Sequence, residues 1–271
     1  MAEKEWASAV TSIAPNEIRV RGYRLDELMG RVSFGEAVYL VLRGELPRPA
    51  LGRLMEATLV ASIDHGVTPP STLSARNAAT TGAPLNACIA AGALAVNRHH
   101  GGAVEDCMRL LTRGAARVGS GESAATVAGV LIADEKAAGR RLPGFGHRVH
   151  TDDPRSHRLL TLAREAGAAG PHVAVAEAIA AALAASGKPL PLNVDGAIAA
   201  VLADLGFAAE LANGFFILAR TAGWMAHVAE ELAREKPMRR IDQQACAYDG
   251  PAARGLSGRQ GERLPREDSW S

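Results

Sequence analysis

The sequence predicts a mostly helical protein. Alanine and leucine dominate the chain, aromatic residues make up 4% of it, and long alternating runs of β-branched residues are absent. Alanine and leucine are strong helix formers, whereas strands favour β-branched and aromatic side chains. With 271 residues, the chain is long enough to bury a large core in one or two domains.

Four helices can be placed from local patterns, in chain order. Residues 120–139 and residues 172–186 predict helices that each end at a glycine. Asp195 is the predicted N-cap of the next helix, whose apolar residues recur at helical spacing. Residues 208–235 predict a long helix with an inward face made of Leu211, Phe215, Leu218, Ala222, Met225 and Leu232.

Charge and cysteine content narrow the class of protein. A formal net charge of +1 does not favour nucleic acid or an anionic membrane as a partner. The N-terminus lacks the apolar core of a signal peptide, and no apolar run is long enough to cross a bilayer. Three cysteines without Cys-x-x-Cys spacing are typical of a reduced compartment, so we expect a cytoplasmic protein.

The segment from Pro143 to Arg155 has the highest concentration of candidate functional residues in the sequence. It places His147 directly after a Gly-x-Gly turn and Arg155 eight positions later, behind Asp-Pro. Glycines let the backbone approach a ligand closely, and a histidine can move protons near neutral pH. The planar fork of an arginine grips a carboxylate. The segment therefore predicts acid–base chemistry on an anionic substrate.

Four further polar residues fit the same chemistry, and three of them have a structural alternative. His100 lies at a Gly-Gly turn, Asp195 at a helix start, His65 after an apolar helix and Arg220 among apolar residues in mid-helix. Asp195 is also a good N-cap, and His65 is also compatible with a satisfied core histidine. Arg220 is equally compatible with a solvated face or a pair with a nearby glutamate.

Two cofactor classes are not favoured. Five histidines cluster between residues 99 and 157, yet no His-Glu-x-x-His motif or Cys/His ligand spacing accompanies them, so we predict no metal site. The pair Gly144-x-Gly146 lacks a third glycine and a preceding strand, so it does not predict a dinucleotide site. No permanently bound cofactor is expected.

Six motifs follow one another in the order found in the citrate synthase family, and the chain up to about residue 250 resembles that family. Residues 21–28, 33–40 and 44–47 resemble the family's opening helices. The six motifs are Asp64-His65, His100-Gly101-Gly102, Pro143-Gly144-Phe145-Gly146-His147, Asp153-Pro154-Arg155, Asn193-Val194-Asp195 and Ala219-Arg220-Thr221.

The resemblance implies an all-α fold with a large and a small helical domain that close over the substrates. Residues 1–103 and 213–250 would form the large domain and residues 104–212 the small one. Residues 251–271 predict a disordered tail, because they are rich in glycine, arginine and other polar residues. Members of the family are homodimers with sites near the subunit interface.

The resemblance also implies substrates and roles. The substrates would be a coenzyme A thioester, acetyl-CoA or citryl-CoA, and oxaloacetate or citrate. Asp195 would be the base at the thioester methyl, His100 the hydrogen-bond donor to the enolate oxygen, and His147 the acid at the oxaloacetate carbonyl. Other residues would bind the acid, namely His65, Arg155, Arg220 and, from the partner subunit, Arg239 or Arg240. Coenzyme A would lie against Leu142, Pro143, Gly144, Phe145 and Gly146.

The direction of the reaction stays open. Only residues 48–63 separate the Gly-Glu-Leu-Pro and Asp-His motifs, so the chain resembles the compact citryl-CoA lyase module found at the C-terminal end of ATP-citrate lyase. The retained His100 fits a citrate synthase. Compactness favours cleavage of citryl-CoA over condensation. A 2-methylcitrate synthase using propionyl-CoA and a subunit that works only within a larger complex are the remaining alternatives.

Overall fold

The computed structural model describes residues 6–146, 152–187, 190–240 and 242–252. Helices dominate these residues, which confirms the predicted fold class. Strands β1–β3 are Thr11–Ala14, Glu17–Val20 and Tyr23–Arg24. Helices α1–α11 are Leu25–Leu28, Phe34–Arg43, Pro49–Ala61, Pro70–Thr80, Leu85–Leu94, Ala103–Gly119, Ala124–Ala137, Pro154–Glu165, Pro171–Ala185, Val194–Asp204 and Ala212–Arg234. Short 3-10 helices span Ala209–Leu211 and Gln243–Ala245.

A small antiparallel sheet lies at the N-terminal end, in the order β1-β2-β3. Thr11 pairs with Val20 and Val20 with Tyr23, so two tight turns join the strands. Asn16 and Gly22 have φ values of 60° and 88° in these turns, a conformation that asparagine and glycine tolerate best. The assignment of residues 21–28 to a helix was therefore wrong for its first half.

The ends of the predicted helices need one correction. The predicted helix over 120–139 corresponds to α7, which is capped by Ser123, and the one over 172–186 corresponds to α9. Asp195 is not an N-cap. The side chain of Asn193 takes that role in α10 by accepting a hydrogen bond from the amide of Gly196 at 3.1 Å.

The predicted inward face of α11 was wrong at most of its positions. Phe215 is buried, but the other five predicted residues are exposed in this chain, namely Leu211, Leu218, Ala222, Met225 and Leu232. The buried face is formed by Ala212, Phe215, Phe216, Ala219, Arg220, Gly223, Trp224, Val228 and Glu231. The helix thus has a second apolar stripe that its own chain does not cover.

Helix α10 lies at the centre of the larger hydrophobic cluster. It is buried along nearly its whole length and packs against α6, α8 and α9. Its sequence is rich in alanine, which lets the neighbouring helices approach on every side. A second cluster brings together α4, α5 and α11 around the fully buried Trp224.

The predicted domain division stays a prediction. Its two boundaries fall close to the starts of α6 at Ala103 and of α11 at Ala212. The larger hydrophobic cluster also contains Leu54 and Met55 of α3, which belong to the predicted large domain. Of the predicted tail, residues 253–271 lie outside the described residues.

Glu231 joins three parts of the chain, and its loss should be costly. Its carboxylate is 1% exposed and lies 2.7 Å from Nε of Arg76 on α4. Nε of Arg239, beyond the end of α11, donates to it at 2.9 Å. We expect Glu231→Gln to lower the free energy of unfolding by about 3 kcal/mol, because it leaves two partly buried arginines without their counter-charge.

Chemical denaturation measures this loss. Arg234→Gln is the matched control, since it breaks an exposed pair with Glu230 on the same helix, where the arginine side chain is 73% exposed. That change should stay within about 0.5 kcal/mol of wild type. Equal stability of the Glu231 and Arg234 variants would contradict the structural role of Glu231.

Candidate active site

A cavity of about 450 Å³ gathers the polar residues of five separate chain segments. Its lining includes the segment after α3, the turn before α6, the start of α8, the start of α10 and the middle of α11. The charged and titratable residues of the described chain that line it are Arg98, Arg155, Arg220, His65, His99, His100 and Asp195. Three guanidinium groups facing a single carboxylate favour an anionic ligand with several carboxylates.

The start of α10 presents Asp195. Because Asn193 caps the helix, the carboxylate of Asp195 is not used by the backbone. The residue keeps part of its surface towards the cavity, yet protein atoms surround its carboxylate. Burial raises the pKa of Asp195, and the charges of Arg155 and Arg220 only partly oppose that change. A carboxylate with a raised pKa is a stronger base than an exposed aspartate.

The loop before His147 is fixed onto the start of α10. The amide of Gly146 donates to the carbonyl of Pro191 at 2.8 Å, and the amide of Asn193 donates to the carbonyl of Gly144 at 3.0 Å. Nδ2 of Asn193 donates to the carbonyl of Gly146 at 2.8 Å. His147 itself lies outside the described residues, so the structure gives the position of its preceding residue only.

Two glycines make this contact possible. Gly144 has φ +81°, and a Cβ added there would lie 2.7 Å from both Sγ of Cys107 and Cα of Gly196. A Cβ added at Gly196 would lie 2.4 Å from the carbonyl oxygen of Gly144. The loop that leads to His147 and the helix that carries Asp195 thus touch through their backbones, with no side chain between them.

His100 is held by its own turn and by α4. Backbone hydrogen bonds with Asn97 close its turn, and Nε2 of His100 lies 2.7 Å from Oγ of Ser71 on α4. The indole of Trp224 donates to the same Oγ at 3.2 Å. An indole can only donate, so Oγ of Ser71 accepts from Trp224 and its own proton is free to be donated to Nε2 of His100; in the tautomer that accepts this proton, the ring proton is on Nδ1.

The surroundings keep His100 neutral. Burial lowers the pKa of His100, and the positive charges of Arg220 and His65 lower it further. The ring also packs edge-on against Phe216, with the centroids 5.9 Å apart. A neutral histidine donates a hydrogen bond without bringing a charge of its own, which suits an oxygen on which negative charge develops.

Arg220 and Arg155 are oriented by the protein. Arg220 is 3% exposed, lies over the ring of Phe216 at 4.6 Å and donates from Nε to the carbonyl of Ser62 at 2.8 Å. Burial lowers the pKa of Arg220. Arg155 donates from Nε and Nη2 to the two carboxylate oxygens of Asp153, at 3.0 and 2.8 Å. Each guanidinium keeps further N–H donors for a ligand.

Asp153 joins Arg155 to the start of α10. Besides its two contacts with the guanidinium, its carboxylate accepts a hydrogen bond from the amide of Val194 at 3.2 Å. Burial acts to raise the pKa of Asp153, but these hydrogen bonds outweigh it and hold the pKa below its usual range. Arg155 and Val194, the residue before Asp195, are thereby attached to one buried carboxylate.

A second cavity, of about 570 Å³, adjoins the first at Gly146. Leu142, Phe145 and Gly146 of the predicted coenzyme A loop line it, together with Ile132, Glu135, Lys136, Arg140, Arg141 and Leu190. Its wall combines apolar side chains with three cations, of which Arg140 is paired with Glu135. That combination suits a ligand that carries both an apolar part and phosphate groups.

Some predicted residues are not brought to these cavities. Arg239 pairs with Glu231 of its own chain, and Arg240 is exposed near the C-terminal end of the described chain. Sequence reasoning also missed residues that the cavity uses. Arg98 and His99 line the cavity around Asp195, and Ser71 orients His100. The sequence around Arg98 and Ser71 does not indicate these roles, and His99 stands out only because it is next to His100.

The described residues contain neither a metal-binding cluster nor a membrane-spanning helix. No described group of three or more histidine, cysteine, aspartate or glutamate side chains is placed to hold a metal ion. Among the described helices, none is both long and apolar enough to cross a membrane.

Comparisons with known proteins agree on a family. The citrate synthase C-terminal domain family matches residues 47–241. Citryl-CoA lyase from Hydrogenobacter thermophilus has a similar structure, with a TM-score of 0.84 and 42% identity over 93% of this chain and 98% of that chain. Citrate synthase from Pyrobaculum aerophilum has a TM-score of 0.68 and 27% identity over 88% of this chain and 56% of that one.

Sequence relatives point the same way. A putative citrate synthase 2 of Mycobacterium tuberculosis is 33% identical over 214 residues, which cover 77% of this chain and 54% of the relative. Citrate synthase 2 of Bacillus subtilis is 29% identical over 84% of this chain and 59% of its own length. The chain thus spans little more than half the length of these synthases. The matched family region covers most of the chain and contains the residues that line the cavity around Asp195, so this protein belongs to the citrate synthase family.

Proposed function

We propose that the protein interconverts citryl-CoA with acetyl-CoA and oxaloacetate, and that cleavage is its physiological direction. The observation that carries this proposal is the cavity in which three arginines and three histidines face one carboxylate of raised pKa. The similarity to citryl-CoA lyase over 98% of that chain supports cleavage. The firm placement of His100 by Ser71 supports condensation as a second candidate.

Cleavage would begin at the tertiary hydroxyl of citryl-CoA. His147 removes the hydroxyl proton, the carbonyl of oxaloacetate forms, and the carbon–carbon bond breaks with its electron pair moving into the thioester. His100 donates a hydrogen bond to the resulting enolate oxygen, and Asp195 then gives a proton to the methylene carbon. Condensation is the reverse sequence, with Asp195 as the base and His147 as the acid.

The substrate would occupy both cavities. The acid portion binds Arg155, Arg220 and His65 in the first cavity. Coenzyme A lies along the loop from Leu142 to Gly146, with its phosphates near the cations of the second cavity. Because Gly146 lines both cavities, a thioester chain passing this residue would enter the cavity that Asp195 lines. Closure of the predicted large and small domains would exclude water, which otherwise hydrolyses citryl-CoA.

Two coupled assays test the reaction. Purified protein is given citryl-CoA, and oxaloacetate is followed with malate dehydrogenase and NADH; the reverse reaction uses acetyl-CoA, oxaloacetate and a thiol reagent. We expect a higher specificity constant for cleavage than for condensation. Rapid condensation with negligible cleavage would instead assign a synthase. Preference for propionyl-CoA would indicate 2-methylcitrate chemistry, and no turnover with any of these substrates would leave a partner-dependent subunit.

Arg220→Lys should weaken binding of the acid more than it slows the chemistry. Lysine keeps the charge but loses the planar fork and the Nε bond to Ser62. We expect the KM for oxaloacetate to rise at least about tenfold, which corresponds to one charge-assisted hydrogen bond. Arg158→Lys, on α8 and with its side chain 66% exposed, is the control and should leave KM unchanged. An unchanged KM in the Arg220 variant would show that this residue does not hold the acid.

The exposed stripe on α11 supports a homodimer. Leu211, Leu218, Met225 and Leu232 recur every seven residues and are 39%, 37%, 47% and 61% exposed in the single chain. A heptad of apolar residues is the pattern that packs against a second helix. We expect Met225→Lys to halve the mass measured by sedimentation velocity, and Ala133→Lys, at an exposed position of α7, to leave it unchanged. Dimers of unchanged stability in the Met225 variant would place the interface elsewhere.

A further inference from the structure

The segment Ser62–Gly66 carries His65 into the cavity without regular secondary structure of its own. It lies between the end of α3 at Ala61 and the start of α4 at Pro70. His65 itself is exposed in the segment and lines the cavity. The contacts that fix the backbone on either side of His65 therefore help to set the position of its ring.

One face of α11 supplies that fixation. Arg220 donates from Nε to the carbonyl of Ser62 at 2.8 Å. A Cβ added at Gly223 would lie 2.6 Å from the carbonyl oxygen of Ile63, so the helix and the segment touch closely at this point. One turn further along α11, Nε2 of His227 lies 3.1 Å from Oδ1 of Asp64 in the segment.

The carboxylate of Asp64 bonds to the chain just after His65 and to α11. While Oδ1 of Asp64 faces His227, its Oδ2 accepts the amide proton of Gly66 at 2.8 Å. Gly66 has φ +84°, so the chain turns sharply just after His65. The carboxylate thus joins the residue after His65 to the residue before it and, through His227, to α11.

The burial of His227 agrees with a role in orientation. Its side chain is 13% exposed, and its Nδ1 has no hydrogen-bond partner among the described residues. The nearest acidic oxygen on that side is Oε2 of Glu230, at 3.8 Å. The hydrogen bonding of this ring is therefore concentrated on Asp64. Burial acts to raise the pKa of Asp64, but the hydrogen bond from the Gly66 amide and the interaction with His227 outweigh it and lower the pKa, so the carboxylate stays ionised.

We propose that His227 and Asp64 form a positioning pair that holds His65 in place to donate a hydrogen bond to the acid substrate. The proposal rests on the proposed function for the identity of that acid. His227 acts through Asp64 and does not touch the substrate. The pair sets affinity for the acid, while the acid–base steps at Asp195 proceed as before once the acid is bound.

Three variants test the pair. His227→Ala removes the donor to Asp64, whereas His227→Gln keeps an N–H donor of similar reach. The matched control is His172→Ala, which breaks another histidine–aspartate pair: Nδ1 of His172 lies 2.7 Å from Oδ1 of Asp204, at the start of α9 and outside the cavity lining. All three proteins are checked for folding by thermal melting before any comparison.

The first readout is the split between binding and chemistry. We expect His227→Ala to raise the KM for oxaloacetate about five- to tenfold with kcat within about twofold, which is the size of one hydrogen bond. His227→Gln should stay within about twofold of wild type in both constants. His172→Ala should lower the melting temperature and leave KM unchanged. Equal KM values for wild type and His227→Ala would overturn the proposal.

The second readout does not depend on catalysis. The chain has eight histidines, and in protein with labelled imidazole carbons the His65 cross-peak is assigned from the His65→Gln spectrum. This peak should shift or broaden in His227→Ala and in Asp64→Asn, and stay in place in His227→Gln and His172→Ala. An unmoved peak in His227→Ala refutes the positioning role. If wild type turns over no substrate while the peak moves as expected, only the proposed function fails.

Discussion

Replacing Asp195 with asparagine is expected to lower turnover in both directions by at least about a hundredfold, the usual effect of losing a general acid or base. The amide keeps the size of the side chain but neither accepts nor returns the proton of the thioester methyl. Steady-state assays of cleavage and condensation measure this loss. Activity near that of wild type would remove Asp195 from the chemistry.

The same variant should be more stable than wild type at neutral pH. Burial raises the pKa of Asp195 above its value in the unfolded chain. The side chain of Asp195 therefore favours the folded state only in its protonated form. Its contribution to the free energy of unfolding is lost as the pH rises through the raised pKa. Asparagine is neutral at every pH and avoids that loss. Thermal melting at pH 7 should give a higher midpoint for the Asp195→Asn protein.

Activity of the wild type should fall at acid pH along a limb that lies above the usual range of an aspartate, near 4. Condensation requires the carboxylate form, which the raised pKa confines to higher pH. The pH dependence of kcat/KM for cleavage should be the same, because the reaction neither takes up nor releases a proton and the two kcat/KM values are linked by one equilibrium constant. The form that cleaves, with Asp195 protonated and His147 neutral, binds as many protons as the form that condenses, with Asp195 ionised and His147 protonated. A limb at the ordinary aspartate value would contradict the burial argument.

Gly196→Ala is expected to cost both stability and turnover, although it adds a single methyl group. That methyl would lie 2.4 Å from the carbonyl oxygen of Gly144 and 2.5 Å from Cδ1 of Leu192. A backbone oxygen has little room to yield, so the loop and α10 must move apart. We expect a loss of about 1–3 kcal/mol in the free energy of unfolding, as for other overpacked sites.

Turnover should fall more steeply than stability. The loop leads to His147 and the helix carries Asp195, so their separation displaces the acid from the base, and small displacements of reacting groups are costly. Gly129→Ala is the matched control, since a Cβ at this position of α7 meets nothing within 4 Å. It should be neutral or slightly stabilising and fully active. Full activity of the Gly196 variant would show that the close contact is not needed.

The residues of the cavity could be predicted where local sequence carries their chemistry. His100 beside two glycines, Arg155 behind Asp-Pro and Arg220 in an apolar helix each stand out from their neighbours, and the structure brings all three to the cavity with Asp195. Ser71 does not stand out, since it is an ordinary serine in a helix. Its role depends on Trp224, which is 153 positions away in the chain.

Two errors have a physical cause in what surrounds a residue. Asn193 and Asp195 are both good capping residues, but only an amide can cap α10 and also donate to the carbonyl of Gly146. On α11, spacing predicts two apolar stripes equally well. Which stripe is buried depends on the helices that pack against α11. The stripe that contains Trp224 is buried because this side chain packs between α4 and α5.

Helix α10 is buried along nearly all its length, with α6, α8 and α9 packed around it. Such a helix opens only when much of the surrounding structure opens, so its backbone amides should be among the slowest to exchange hydrogen for deuterium. The loop at Gly144 and Gly146 is bonded to its first residues and shares that rigidity. We therefore expect Asp195 to keep its position when a substrate enters the cavity, so that the reacting carbon has to move to it.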